Sequence, residues 1–252
     1  MKKPAKGSVR ANPSRSGPSP MGVSGTEMDA RREGRLGTVA ILKAGRTPLH
    51  ICQVAAEAVV VSEEATRAAV RADPPEAASA CKEGCAWCCH KVVGTSVPEV
   101  LRIVTHLQQT LSAGELQSVR ERVARLHEQR NALQVKTRGH TSIPCALLVD
   151  NRCSVYPVRP LTCRGFNSSD ARQCERSLDP RTRAIVPAYA PQQRLATLVL
   201  DGMRAGLQES RLSGALLELT GALHVALTSP NAFEQWLAGK AAFDLARLSS
   251  GA

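Results

Sequence analysis

Eight of the chain's nine cysteines fall in two groups, Cys81-x3-Cys85-x2-Cys88-Cys89 and Cys145-x7-Cys153-x9-Cys163-x10-Cys174. Four sulfurs within nine residues are close enough for one loop to turn its thiolates inward around an ion, and the second group can close such a site from the far side of the fold. Thiolates are soft ligands that favour zinc, copper(I) and iron–sulfur clusters, so ligand type excludes calcium and magnesium. Adjacent Cys88 and Cys89 start in different directions and need not serve the same ion. One four-thiolate centre with spare thiols and a two-metal arrangement both fit this pattern.

The compartment decides how such cysteines are read. No apolar run follows Lys2, Lys3 and Lys6, so no secretory signal is visible and a cytoplasmic, reducing setting is expected. There, clustered cysteines serve as metal ligands or redox thiols more often than as disulfides. No apolar stretch approaches the roughly 20 residues of a membrane helix. Lys82, Lys91, Arg152, Arg159 and Arg164 flank the sulfurs. Zinc held by four thiolates carries about −2, which such cations stabilise. The same cations lower a thiol below its usual ~8.5, favouring metal capture and redox reactivity alike.

The formal charge of +11 invites a nucleic-acid reading, but +5 of it sits in residues 1–36, which are rich in Pro, Ser and Gly. That composition cannot bury enough apolar surface to order itself, so residues 1–37 are expected to form a basic disordered tail. Met21 and Met28 offer later translation starts. With seven aromatics in 252 residues there is little stacking surface for single strands, and no nucleic-acid partner is expected.

Residues 38–252 read as a single, mainly α domain. The spacing predicts a helix over 53–72, stopped by Pro74-Pro75. Ser96-x-x-Glu99 and Ser112-x-x-Glu115 each open a further helix, and the two are expected to form a hairpin between the cysteine groups. Residues 140–188, cut by five prolines, read as a loop-rich segment ordered by metal. Helices are expected again over 191–208, 211–227 and 230–246, the last capped at Ser229-Pro230. Cys52 reads as a core residue. His90 could add a nitrogen ligand, with His106, His127 and His140 weaker candidates. Arg159 and Arg164 read as charge partners of the thiolates, and Tyr156 as a packed ring with its hydroxyl satisfied nearby.

Cys81-Lys-Glu-Gly84-Cys85-Ala-Trp87-Cys88-Cys89-His90, and later Cys153-Ser-Val-Tyr156-Pro-Val-Arg159-Pro160-Leu-Thr-Cys163-Arg164 with Cys174, resemble the YkgJ-like cysteine-cluster family, also called the CxxCxxCC or zinc- or iron-chelating domain. The resemblance covers about residues 78–178, with three residues rather than two between the first cysteines. It implies chelation of zinc or iron. Relatives near the flagellin lysine N-methylases imply that some members act on proteins, although no Gly-rich nucleotide fingerprint stands here.

The reading is therefore a cytoplasmic, helical metalloprotein of undetermined cellular role. Cys81, Cys85, Cys88, Cys89, Cys145, Cys153, Cys163 and Cys174 form its ligand pool for zinc or iron, the latter including an iron–sulfur cluster, and a protein partner is open. Against it stand three alternatives: a metal-dependent enzyme acting on a protein, a redox thiol switch at Cys88 or Cys89, and a radical S-adenosylmethionine enzyme. The last would follow Cys81-x3-Cys85-x2-Cys88 with alternating strands and helices.

Overall fold

Pro48 opens the first helix whose cause is legible residue by residue. The computed structural model describes residues 25–133 and 142–248. Thr47 adopts extended backbone and Pro48 takes the first helical position, where its missing N–H costs nothing. Helix α2, Pro48–Ala72, buries Ile51, Val54, Ala55, Ala58, Val59 and Ser62 and ends at Asp73, ahead of the two prolines. It starts earlier than the expected 53.

Before it stands α1, Gly25–Ala44. Residues 25–37 are thus helical, against the expectation of a disordered tail over 1–37; residues 1–24 lie outside the described residues. Composition missed this helix because its buried stripe begins with Ala30, Gly34 and Thr38, too small to register as apolar periodicity. Small residues do register in the packing. Helix α1 lies along α7, Ala190–Glu209, and the backbones approach so closely that a methyl at Gly202 would meet the Arg31 carbonyl, and one at Gly206 the Arg35 carbonyl. Ion pairs fasten both ends, Arg194 to Glu27 at 2.7 Å and Arg35 to Glu209 at 2.6 Å.

Helices α3, Val97–Thr110, and α4, Ala113–Ala132, begin where the two capping boxes place them. Ser112 N–H donates to Glu115 Oε2 at 2.8 Å and Glu115 N–H to Ser112 Oγ at 3.4 Å. The expected hairpin does not form as such. Helix α4 packs chiefly on α8, Leu219–Thr228, an apolar helix that α3 also meets, while α3 lies foremost against α2. The helix expected over 211–227 is shorter because Arg211 takes a positive φ of 62° and the chain runs as a strand at Leu217–Glu218. That strand, β4, pairs antiparallel with β1, Gly94–Thr95, Gly94 facing Glu218. The helix expected over 230–246 is also curtailed. Asn231 rather than Ser229 precedes α9, Ala232–Leu237, and Gly239, at φ 77°, ends it. The indole of buried Trp236 donates to Ser213 O at 3.1 Å.

The segment after residue 142 is made of short pieces. Leu148–Val149 (β2) and Arg152–Cys153 (β3) form a hairpin whose two turn residues, Asp150 and Asn151, both have positive φ. Helices α5, Leu161–Gly165, and α6, Ala171–Arg176, follow, the latter capped by Asp170. Among the described residues no helix is long and apolar enough to cross a membrane.

Glu99 binds this segment to the helical frame. It is 3% exposed. Its Oε2 accepts from Ser96 N at 2.9 Å, Ser96 Oγ at 2.8 Å and Thr95 Oγ1 at 3.2 Å. Its Oε1 accepts from Leu161 N at 2.7 Å, so one carboxylate caps α3 and holds the first turn of α5. Burial lifts this carboxyl above the usual range, against the pull of the donated hydrogen bonds.

Candidate metal centre

The two cysteine groups meet. Cys81 and Cys85 lie in the irregular approach to a 3-10 turn, Trp87–His90, which presents Cys88 and Cys89. Cys145 N–H donates to Cys89 O at 2.7 Å, which pins the start of the second group to the end of the first. The β2–β3 hairpin carries Cys153, α5 carries Cys163, and α6, packed on the Trp87–His90 turn, carries Cys174. Ala80 N–H donates to Ser168 O at 2.8 Å and closes the other side. All nine cysteines are free thiols; Cys81 is exposed and the rest half-buried.

The thiols sort into two overlapping neighbourhoods. Around Cys85 lie Cys81, Cys88 and Cys174, each near enough to oppose its ionisation. Around Cys163 lie Cys145, Cys153 and Cys88, while Cys89 faces Cys145 and Cys153. Cys88 belongs to both. As the side chains stand, no group of three or more Cys, His, Asp or Glu among the described residues is drawn in tightly enough to enclose an ion.

Burial dominates the electrostatics of most of these thiols. Burial is the first cause that raises Cys85, Cys153, Cys163 and Cys145, the last to about 11. Backbone N–H groups oppose it at three positions, Trp87 at Cys85, Leu147 at Cys145 and Val155 at Cys153. In each case the donor lies two residues beyond its sulfur. Cys89 donates to Cys88, which raises Cys89 and, together with the Arg159 guanidinium, lowers Cys88 to about 7 against the effect of burial.

The flanking residues divide. Arg159 stacks over the Tyr156 ring at 4.1 Å and acts on Cys88 and Cys153, the charge-partner role expected of it. Arg164 is occupied elsewhere, by Glu63 at 2.7 Å and by the Pro157 and Arg159 carbonyls. Tyr156 is 41% exposed rather than packed, with the Arg159 guanidinium over its ring. His90 Nδ1 lies 3.3 Å from Ala86 O within its own turn. His127 stacks on His224, and His140 lies outside the described residues. Cys52 packs against the core, its sulfur 3.7 Å from Thr105 Oγ1. Residues 91–133 hold β1, α3 and α4, not the strand–helix alternation a radical enzyme requires. Sequence reasoning saw Glu99 only as a cap. Its bond to Leu161, two residues before Cys163, had no local signal.

Comparison with known proteins adds one finding. Neither the curated proteins nor the solved structures give a match to this chain. One family model does match, over residues 80–182, a span that begins just before Cys81 and ends beyond Cys174. Over that span the chain is similar to the CxxCxxCC family, "Putative zinc- or iron-chelating domain".

Proposed function

We propose that the eight clustered cysteines chelate zinc or iron in two sites. Cys81, Cys85 and Cys174 serve one and Cys145, Cys153 and Cys163 the other. Cys88 and Cys89 complete them and place the two ions side by side. The observation that carries this reading is the set of backbone N–H groups at Cys85, Cys145 and Cys153, each two residues beyond its sulfur. Such hydrogen bonds favour thiolate over thiol, fix where the sulfur points, and spread the negative charge of a thiolate centre. The donor set is all sulfur, which suits zinc, and iron in cluster form, and Arg159 offsets part of the charge. Closed coordination by eight thiolates leaves no position for substrate, so the centre's role is binding rather than catalysis, in a reducing compartment where thiols persist.

The test is anaerobic purification followed by elemental analysis, acid-labile sulfide and an absorption spectrum on one sample. Two metal equivalents per chain are expected. Cys174→Ser and Cys163→Ser should each reduce the count to about one, at different sites. A chain that purifies folded, with all thiols free and without stoichiometric metal, would refute the proposal.

A further inference from the structure

Beside the cysteine region, between α4, α7 and the β1–β4 ribbon, lies a cavity of about 540 Å³. Small-molecule sites typically span roughly 300–1,000 Å³. The cavity shares walls with the cluster without belonging to it. Lys91 follows Cys89 by two residues, and Thr162, which precedes Cys163, donates to Gly94 O of β1 at 2.7 Å. Val92, Leu200 and Leu216 line it with apolar surface, and Leu245, 93% exposed, stands at its edge.

The charges in the wall do not cancel. Arg247 is paired with Asp244, and Asp201 with Arg204, each at 2.8 Å. That leaves Lys91 and the long Arg130–Glu218 ion pair. Lys91 gives one of its three donors to Ser177 O at 3.1 Å. Arg130, 8% exposed, gives Nη2 to Ile143 O at 3.1 Å, but its Nε has no hydrogen-bond acceptor among the described residues. Glu218 Oε1 forms a long ion pair with that Nε, at 3.9 Å and beyond hydrogen-bond reach, and the other oxygen of Glu218 accepts from Gly221 N at 2.7 Å. A buried guanidinium N–H without an acceptor is costly, and the planar guanidinium is shaped for a carboxylate.

We infer that this cavity binds a small organic acid, its carboxylate seated on Arg130 in the positive field of Lys91 and its apolar body against Leu200 and Leu216. The inference is independent of which metal the cysteines hold. Calorimetric titration of the purified full-length chain with octanoate and with octanamide tests it. Octanoate should bind saturably at one site and octanamide at least about ten-fold more weakly, since only the acid makes the charge-assisted pair. Arg130→Met should erase that preference. Thr197→Trp tests the cavity without disturbing the buried arginine: Thr197 is exposed at the rim on α7, and its hydroxyl bonds back to Gln193 O of the same helix. This variant should keep its far-UV circular dichroism and lose octanoate binding. Equal affinity for the two probes, binding of neither, or undiminished binding in a folded Thr197→Trp chain would each overturn the assignment.

Discussion

Replacing Glu99 by alanine should damage two places at once, the start of α3 and the start of α5. The carboxylate receives four hydrogen bonds. Two come from the hydroxyls of Thr95 and Ser96, which can rotate toward other acceptors. The other two come from the backbone N–H groups of Ser96 and Leu161, which cannot. Each buried N–H left without a partner costs about 1–3 kcal/mol, and loss of the cap adds about 1 kcal/mol. The sum is roughly 3–7 kcal/mol, with water entering the space as the reason to favour the lower end. Urea denaturation followed by circular dichroism measures it, and amide exchange at Leu161 localises it. A loss below about 1 kcal/mol, or unchanged protection at Leu161, would show that Glu99 is not the joint between frame and cysteine segment. Glu99→Gln adds a pH arm. Because burial holds the folded carboxyl above its ordinary 4.5, its protonation contributes stability that is fully present below about 4.5. That contribution is lost as pH rises through the folded value. The wild-type chain should therefore gain on the glutamine variant as pH falls through that window.

Arg159→Gln should move Cys88 upward from about 7 in metal-free protein, read as the midpoint of the pH–rate profile for iodoacetamide at that thiol. The depressed thiol contributes stability above its ordinary 9.0 that is lost as pH falls through about 7, so the variant should show a smaller loss there; an unmoved midpoint would remove Arg159 as a charge partner. Gly202→Ala should cost about 1–3 kcal/mol or more, because the methyl meets backbone rather than a movable side chain. Gly114→Ala, where nothing lies within 4 Å, should be neutral or gain up to about 1 kcal/mol. Equal effects in thermal melts would deny the close approach of α1 and α7.

What the sequence made legible was what local chemistry specifies. The boxes at Ser96 and Ser112 act within four residues, and both helices start there. Pro74-Pro75 and the prolines of the second group stop helices by the same local logic. Partner choice is not local. Nothing in α3 or α4 says that Leu219–Thr228 takes contacts from both, or that α2 lies against α3. Helix α1 was hidden for a different reason, since Gly and Thr carry no hydropathy signal even when they pack backbone against backbone. The cysteines stand out through number and spacing. Their division into neighbourhoods depends on where α5 and α6 return to the Trp87–His90 turn, which is a property of the fold.

The Glu99–Leu161 bond and the β1–β4 ribbon also bear on where this polypeptide can be cut. The matched span 80–182 contains Gly94 and Thr95 but not their strand partners Glu218 and Leu217, and α5 but not α7, on which it rests. A fragment trimmed to that span would present an open strand edge and the stripped faces of α3, α4 and α5 to water, surfaces that invite association rather than folding. The span that the family model matches is thus smaller than the unit whose faces are covered. Any dissection of the protein should keep residues 25–248 in one piece.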